Sequence, residues 1–141
     1  MRPVFQPFLR FSTVDRMAKI LIVDDDADAG GSLAKFLQAV GHEVSVVPNG
    51  REALMSVLTA APDVILLDLL MPEMDGPTFL EVIRSYLRLQ SLSVVVLTAL
   101  ADSPMIDRVQ HLKVNAVLIK GKASPEDIQK ALEEAATRAP G

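Results

Sequence analysis

From Lys19 onward, short apolar runs alternate with longer amphipathic stretches. Ile20–Val23, Val44–Val47, Val64–Leu67, Val94–Leu97 and Ala116–Ile119 are each four residues long and rich in Val, Ile and Leu. The runs are continuous rather than alternating, which predicts strands buried on both faces, as in a parallel sheet covered by helices on either side. Between them lie segments of helical length at Ala29–Val40, Arg51–Ala60, Pro77–Leu87 and Ser103–Leu112, with a last helix from Pro125 to Arg138. The punctuation agrees. Gly41 is placed to end the first helix and Asn49 to cap the second. Pro77 sits in a first turn, where its missing N–H costs nothing. Ser124-Pro125-Glu126-Asp127 reads as a cap, a proline at the first helical position and acids that complement the helix dipole. Gly30 and Gly31 are the one local conflict, each weakening the first helix by up to ~1 kcal/mol.

Five strands alternating with five helices predict an α/β, doubly wound parallel sheet. In such folds function sits beyond the carboxyl ends of the strands. The first strand ends in Asp24-Asp25-Asp26, the third in Asp68, the fourth in Thr98 and the fifth in Lys120. Only the second, ending in Pro48-Asn49, delivers nothing of obvious chemical use. An aspartate after a strand is ordinarily a turn residue; it is the gathering of these groups on one edge that carries weight. Carboxylates from two strands repel one another unless a hard cation lies between them. Mg²⁺ suits this set, because it takes one or two carboxylates and completes its shell with water and phosphate oxygens. Lys120 adds a point charge for a phosphate. An aspartate beside Mg²⁺ and a lysine is set up as a nucleophile for phosphoryl transfer, with the Thr98 hydroxyl able to donate to a phosphoryl oxygen.

Composition narrows the classes. The chain has 141 residues, half of them hydrophobic and 23% charged, which is globular composition for one domain. It has no cysteine, which excludes disulfide scaffolds, zinc–thiolate sites and cysteine catalysis, and accords with a cytoplasmic, reducing location. A net charge of −4 argues against direct binding to nucleic acid. No apolar run approaches the ~18 residues of a membrane span, so no membrane partner is expected. The first residues differ from the rest. Arg2, Arg10 and Arg16 against Asp15 alone give residues 1–16 a charge of +2, with Phe5, Phe8 and Phe11 among them. We read 1–17 as a disordered leader, with a docking arm bearing aromatic anchors as the other reading, and 18–141 as the domain.

Lys19–Asp26 (KILIVDDD), Asp63–Gly76 (DVILLDLLMPEMDG), Val94–Ala99 (VVVLTA) and Lys120 together resemble the receiver domain of two-component response regulators. The resemblance runs from about Ala18 to Arg138, and the LLDLLMPEMDG stretch is its most specific part. It implies a flavodoxin-like sheet of order 2-1-3-4-5 with helices on both faces. By position, Asp68 is then the phosphoacceptor, supplied by a histidine kinase, a histidine phosphotransfer protein or a small phosphodonor. Asp24, Asp25, Asp68 and the backbone carbonyl of Leu70 hold Mg²⁺. Thr98 is the switch hydroxyl and Lys120 pairs with the phosphoryl group. The chain reads as a stand-alone receiver whose output is binding to a protein target, with pairing of two copies through the fourth and fifth helices as the family's habit. It is a signalling phosphoacceptor rather than an enzyme that turns over an external substrate. Asp26 falls outside the matching set and reads as a solvated loop acid.

The chain departs from the family pattern in places. Gly121 follows the lysine where the family has proline, and Val117 replaces the switch aromatic. Leu70 and Leu100 flank the expected route of hydrolytic water and can neither orient it nor accept a proton, which predicts a long-lived phosphoryl group. A receiver-like scaffold that works without phosphorylation is the alternative. A magnesium-dependent phosphohydrolase using Asp24 and Asp26 is a third reading, but Asp28 stands where enzymes resembling haloacid dehalogenases want Thr or Val. An EF-hand over Asp24, Asp26 and Asp28 fails at Ala29, where the turn needs glycine, and at Lys35, where the last ligand is a glutamate. His42 and His111 read as surface groups, and Met71 and Met74 as packing residues.

Overall fold

A computed structural model of the chain describes residues 17–137. The leader, apart from Met17, and Arg138 at the expected end of the last helix lie outside them. The elements are β1 (Lys19–Val23), α1 (Ala27–Val40), β2 (Glu43–Val47), α2 (Gly50–Thr59), β3 (Val64–Leu67), α3 (Gly76–Ser85), β4 (Ser93–Thr98), α4 (Pro104–Gln110), β5 (Ala116–Ile119) and α5 (Pro125–Ala136). All four strand pairings are parallel, and the sheet order is β2-β1-β3-β4-β5.

Strand side chains alternate between the two faces, and two cores result. Leu21, Val23, Ile65, Leu67, Val94 and Val96 pack under α2, α3 and α4, against residues such as Val57, Phe79 and Val109. Ile20, Ile22, Val64, Leu66, Val95 and Leu97 pack under α1 and α5, against Leu37, Ile128 and Leu132. Both faces of β1, β3 and β4 are therefore covered, as the continuous runs predict. The two outer strands differ. Val46 in β2 is 39% exposed, and β5 is half-buried throughout. An edge strand has a neighbour on one side only, so a helix layer cannot close over it, and an apolar run alone does not reveal which strands will be edges.

The caps follow the sequence. Gly41 ends α1 at φ +114°, in the left-handed region that glycine tolerates. The Asn49 side chain accepts from the Glu52 N–H, and Ser124 and Asp127 form a reciprocal capping box. Gly30 has a packing reason, since a Cβ there would sit 3.1 Å from Val46 Cγ1 of the neighbouring strand. Nothing in the structure explains Gly31. The third helix stops at Ser85 and a 3₁₀ turn follows over Leu87–Leu89. Tyr86, with extended backbone, ends the helix, and the Arg84 guanidinium donates to the carbonyls of Leu89, Leu112 and Lys113, tying the turn to the loop before β5.

His42 is a correction. It is buried rather than on the surface, and its Nδ1 accepts the Ala18 N–H at 3.0 Å. That bond requires the tautomer protonated at Nε2, which donates to Glu133 Oε2 at 2.9 Å. His111 is exposed, and its Nδ1 lies 2.7 Å from the Asp107 carbonyl oxygen four residues before it. Met71 and Met74 pack against the core beneath α2 and α3, as read from the sequence.

Candidate functional site

The parallel ladder continues one step beyond the strands and carries the site with it. The Asp24 N–H donates to Val47 O, the Asp68 N–H to Val23 O and the Lys120 N–H to Thr98 O. Backbone pairing therefore sets Asp24, Asp68 and Lys120 along the carboxyl edge of the sheet. One carboxylate oxygen from each of Asp24, Asp25 and Asp68 lies within 4.8 Å of the others. The first two strand-end acids and the third-strand acid thus converge. Asp24 and Asp68 are buried, whereas Asp25 is exposed.

Lys120 Nζ donates to Asp24 Oδ2 at 3.1 Å and to Asp68 Oδ2 at 3.2 Å. Three carboxylates thus face one ammonium. Burial lifts the Asp68 pKa above its ordinary value; Lys120 pulls it down and Asp24 pushes it up again, and the net shift is upward. Burial by itself would lower the Lys120 pKa, but the hydrogen bond to Asp24 and the two nearby carboxylates outweigh it and raise it. The lysine is therefore firmly charged. The donors are all carboxylate oxygens with a residual negative charge, which is the chemistry a hard divalent cation such as Mg²⁺ requires.

Thr98 is fully buried, and its Oγ1 accepts the Leu100 N–H at 3.1 Å. Its hydroxyl proton remains available to donate. Leu70 is half exposed and its N–H donates to Asp68 Oδ1 at 3.4 Å. Asp26 lies apart from the carboxylate cluster, exposed as expected, but it is more than a loop acid. Its side chain caps α1 by accepting from the Asp28 and Ala29 N–H groups.

Sequence reasoning passed over the two glycines that hold the loop after Asp68. A Cβ at Gly76 would lie 2.7 Å from both the Asp68 carbonyl oxygen and Leu69 Cα. A Cβ at Gly50 would lie 2.7 Å from the Met74 carbonyl oxygen, the group its own N–H donates to. Glu73 turns this loop at φ +67°. Gly76 stands at the end of the motif stretch, but only the fold shows that backbone presses against it.

A doubly wound sheet of this order, with an acidic cluster and a lysine at its carboxyl edge, is the architecture of a signal receiver. A sequence profile of the response regulator receiver domain matches residues 20–133, and the chain belongs to that family. It is 39% identical over 100 residues to a protein-glutamate methylesterase/protein-glutamine glutaminase of Archaeoglobus fulgidus, a match covering 70% of this chain and 28% of that protein. The chain spans less than half the length of that relative and of the transcriptional regulators of Galdieria sulphuraria and Mycobacterium leprae that it also matches. Receiver domains are signalling domains, and the likeness to the methylesterase runs through that domain. Chemotaxis protein CheY4 of Vibrio cholerae superposes with a TM-score of 0.76 at 32% identity, covering 84% of this chain and 98% of that one. The Mn(2+)-bound form of response regulator Rcp1 superposes with a TM-score of 0.70 at 26% identity, covering 83% and 90%. Among the described residues no helix is long and apolar enough to cross a membrane.

Proposed function

We propose that this receiver domain accepts a phosphoryl group on Asp68 in a Mg²⁺-dependent reaction and thereby changes its binding to a protein target. The observation that carries the reading is the convergence of Asp24, Asp25 and Asp68 beside Lys120. Asp24, Asp25, Asp68 and the backbone carbonyl of Leu70 would hold the ion; bound, it would neutralise the acids and the charge of the arriving phosphoryl group. The Mn²⁺ bound by Rcp1, a protein of the same fold, supports a divalent cation here.

The phosphodonor is the phosphohistidine of a histidine kinase or phosphotransfer protein, or a small phosphodonor. An Asp68 oxygen attacks phosphorus as the bond to the leaving group breaks. Lys120, already among the acids, exchanges carboxylate partners for phosphoryl oxygens, and Thr98 donates its hydroxyl to one of them. The product is an aspartyl phosphate, and the signal passes to a protein partner in the cytoplasm rather than directly to nucleic acid. Self-association through α4 and α5 belongs to the same reading.

Intact-protein mass spectrometry after incubation with acetyl phosphate tests the proposal. We expect a Mg²⁺-dependent phosphoryl adduct on the wild-type chain and none on Asp68→Asn. The second reading, a scaffold that works without phosphorylation, draws on Val117 in β5 and on Gly121, which turns the chain after Lys120 at φ +86°. It predicts no adduct on a folded chain that still binds Mg²⁺.

A further inference from the structure

An open cleft of about 360 Å³ lies between α1 and α5, beside the acidic cluster. Leu33 and Phe36 of α1 and Ile128 of α5 form its walls, and Ile22, Leu66 and Leu97 of the sheet its floor. Asp24, Asp68 and Lys120 also line it. Asp24 and Asp68 stand two residues beyond Ile22 and Leu66, so these polar groups mark the end of the cleft at the carboxyl edge of the sheet. Ala29, Gly30 and Ala123 line the cleft with too little side chain to fill it. Its volume falls within the range of small-molecule sites.

The charge at the mouth selects the ligand. Asp24 and Asp68 outnumber Lys120, and Asp25 adds a further carboxylate within reach of both. Helix N-termini would ordinarily favour an anion. Here acids cover both ends, with Asp26 and Asp28 on α1 and Glu126 and Asp127 on α5. An apolar body with one cationic end therefore suits the cleft, and an apolar anion does not.

We propose that this cleft binds a small apolar monocation of the arylalkylamine class, its body between α1 and α5 and its ammonium at Asp24 and Asp68. The ammonium would use the same carboxylates as a divalent cation, so the amine and Mg²⁺ exclude one another. The inference rests on the cleft and the acids and goes beyond the phosphoacceptor reading, giving the domain a small-molecule antagonist site.

Calorimetric titration of the full chain with 4-phenylbutylammonium, without metal, provides the test. We expect saturable binding, weakened about tenfold or more by saturating Mg²⁺. The matched anion 4-phenylbutanoate should bind at least about tenfold more weakly, since a charge-assisted hydrogen bond contributes roughly that factor. Ala29→Leu, at an exposed position that leaves the core untouched, and Ala123→Leu should each weaken amine binding several-fold without altering Mg²⁺ affinity. Equal binding of the two probes, indifference to bound Mg²⁺, or full amine affinity in both filled variants would overturn the proposal. A chain that binds no Mg²⁺ yet prefers the amine and loses it on filling would sink the phosphoacceptor reading and leave the cleft proposal standing.

Discussion

Leu70 and Leu100 stand two residues beyond Asp68 and Thr98, and each backbone N–H donates to the side chain two residues before it. Neither side chain has a polar atom with which to hold a water or take a proton. The expected consequence is a slowly hydrolysed aspartyl phosphate. Leu70→Asn or Leu100→Glu should shorten its lifetime about tenfold, less than the ~10²–10⁴-fold that a fully positioned acid–base group contributes. Decay of the phosphoryl mass adduct measures this directly, and an unchanged lifetime in both variants would refute it. His42 marks the limit of single-residue reading. Its partners Ala18 and Glu133 lie 24 and 91 positions away, so no local pattern distinguishes it from exposed His111.

At the scale of elements, caps and loops are separable. Ser124 caps α5 on the side of the sheet opposite α2, α3 and α4, through a local box with Asp127. Ser124→Ala should cost about 1 kcal/mol in urea denaturation and leave Mg²⁺ affinity unchanged. Gly76 begins α3 and presses on the backbone of Asp68 and Leu69, which cannot rotate away as a side chain would. Gly76→Ala should cost about 2 kcal/mol, as overpacking does, and should also lower Mg²⁺ affinity, because the displaced backbone carries Asp68. Equal Mg²⁺ affinity in the two variants would show that the loop does not set the site. The capping residues were legible in the sequence because a cap acts over three or four positions. The role of Gly76 was not, because its constraint is a contact with strand-end backbone.

Across the whole molecule the buried acidic edge costs stability. The folded chain holds the Asp68 proton more tightly than the unfolded chain does, so stability falls as pH rises through the ordinary carboxyl value of 3.8 toward the raised folded value. Asp68→Asn lacks this term. Without metal it should resist urea better than wild type at neutral pH, with the difference closing below about pH 3.5, where the carboxyl is protonated in both states. Saturating Mg²⁺ should reverse the order, since it stabilises the folded state that binds it better. A wild type more stable than Asp68→Asn without metal at pH 7 would contradict this balance.

At that same scale the sequence by itself determined the strands, the helices, the parallel class of the sheet and the edge on which chemistry gathers. Those features rest on short-range periodicity and on the rule that parallel strands point their carboxyl ends one way. The edge exposure of β2 and β5, the burial of His42, the pressure on Gly76 and the cleft between α1 and α5 were decided by the tertiary structure alone. Each depends on which distant residues become neighbours, and on how fully two helices cover a sheet.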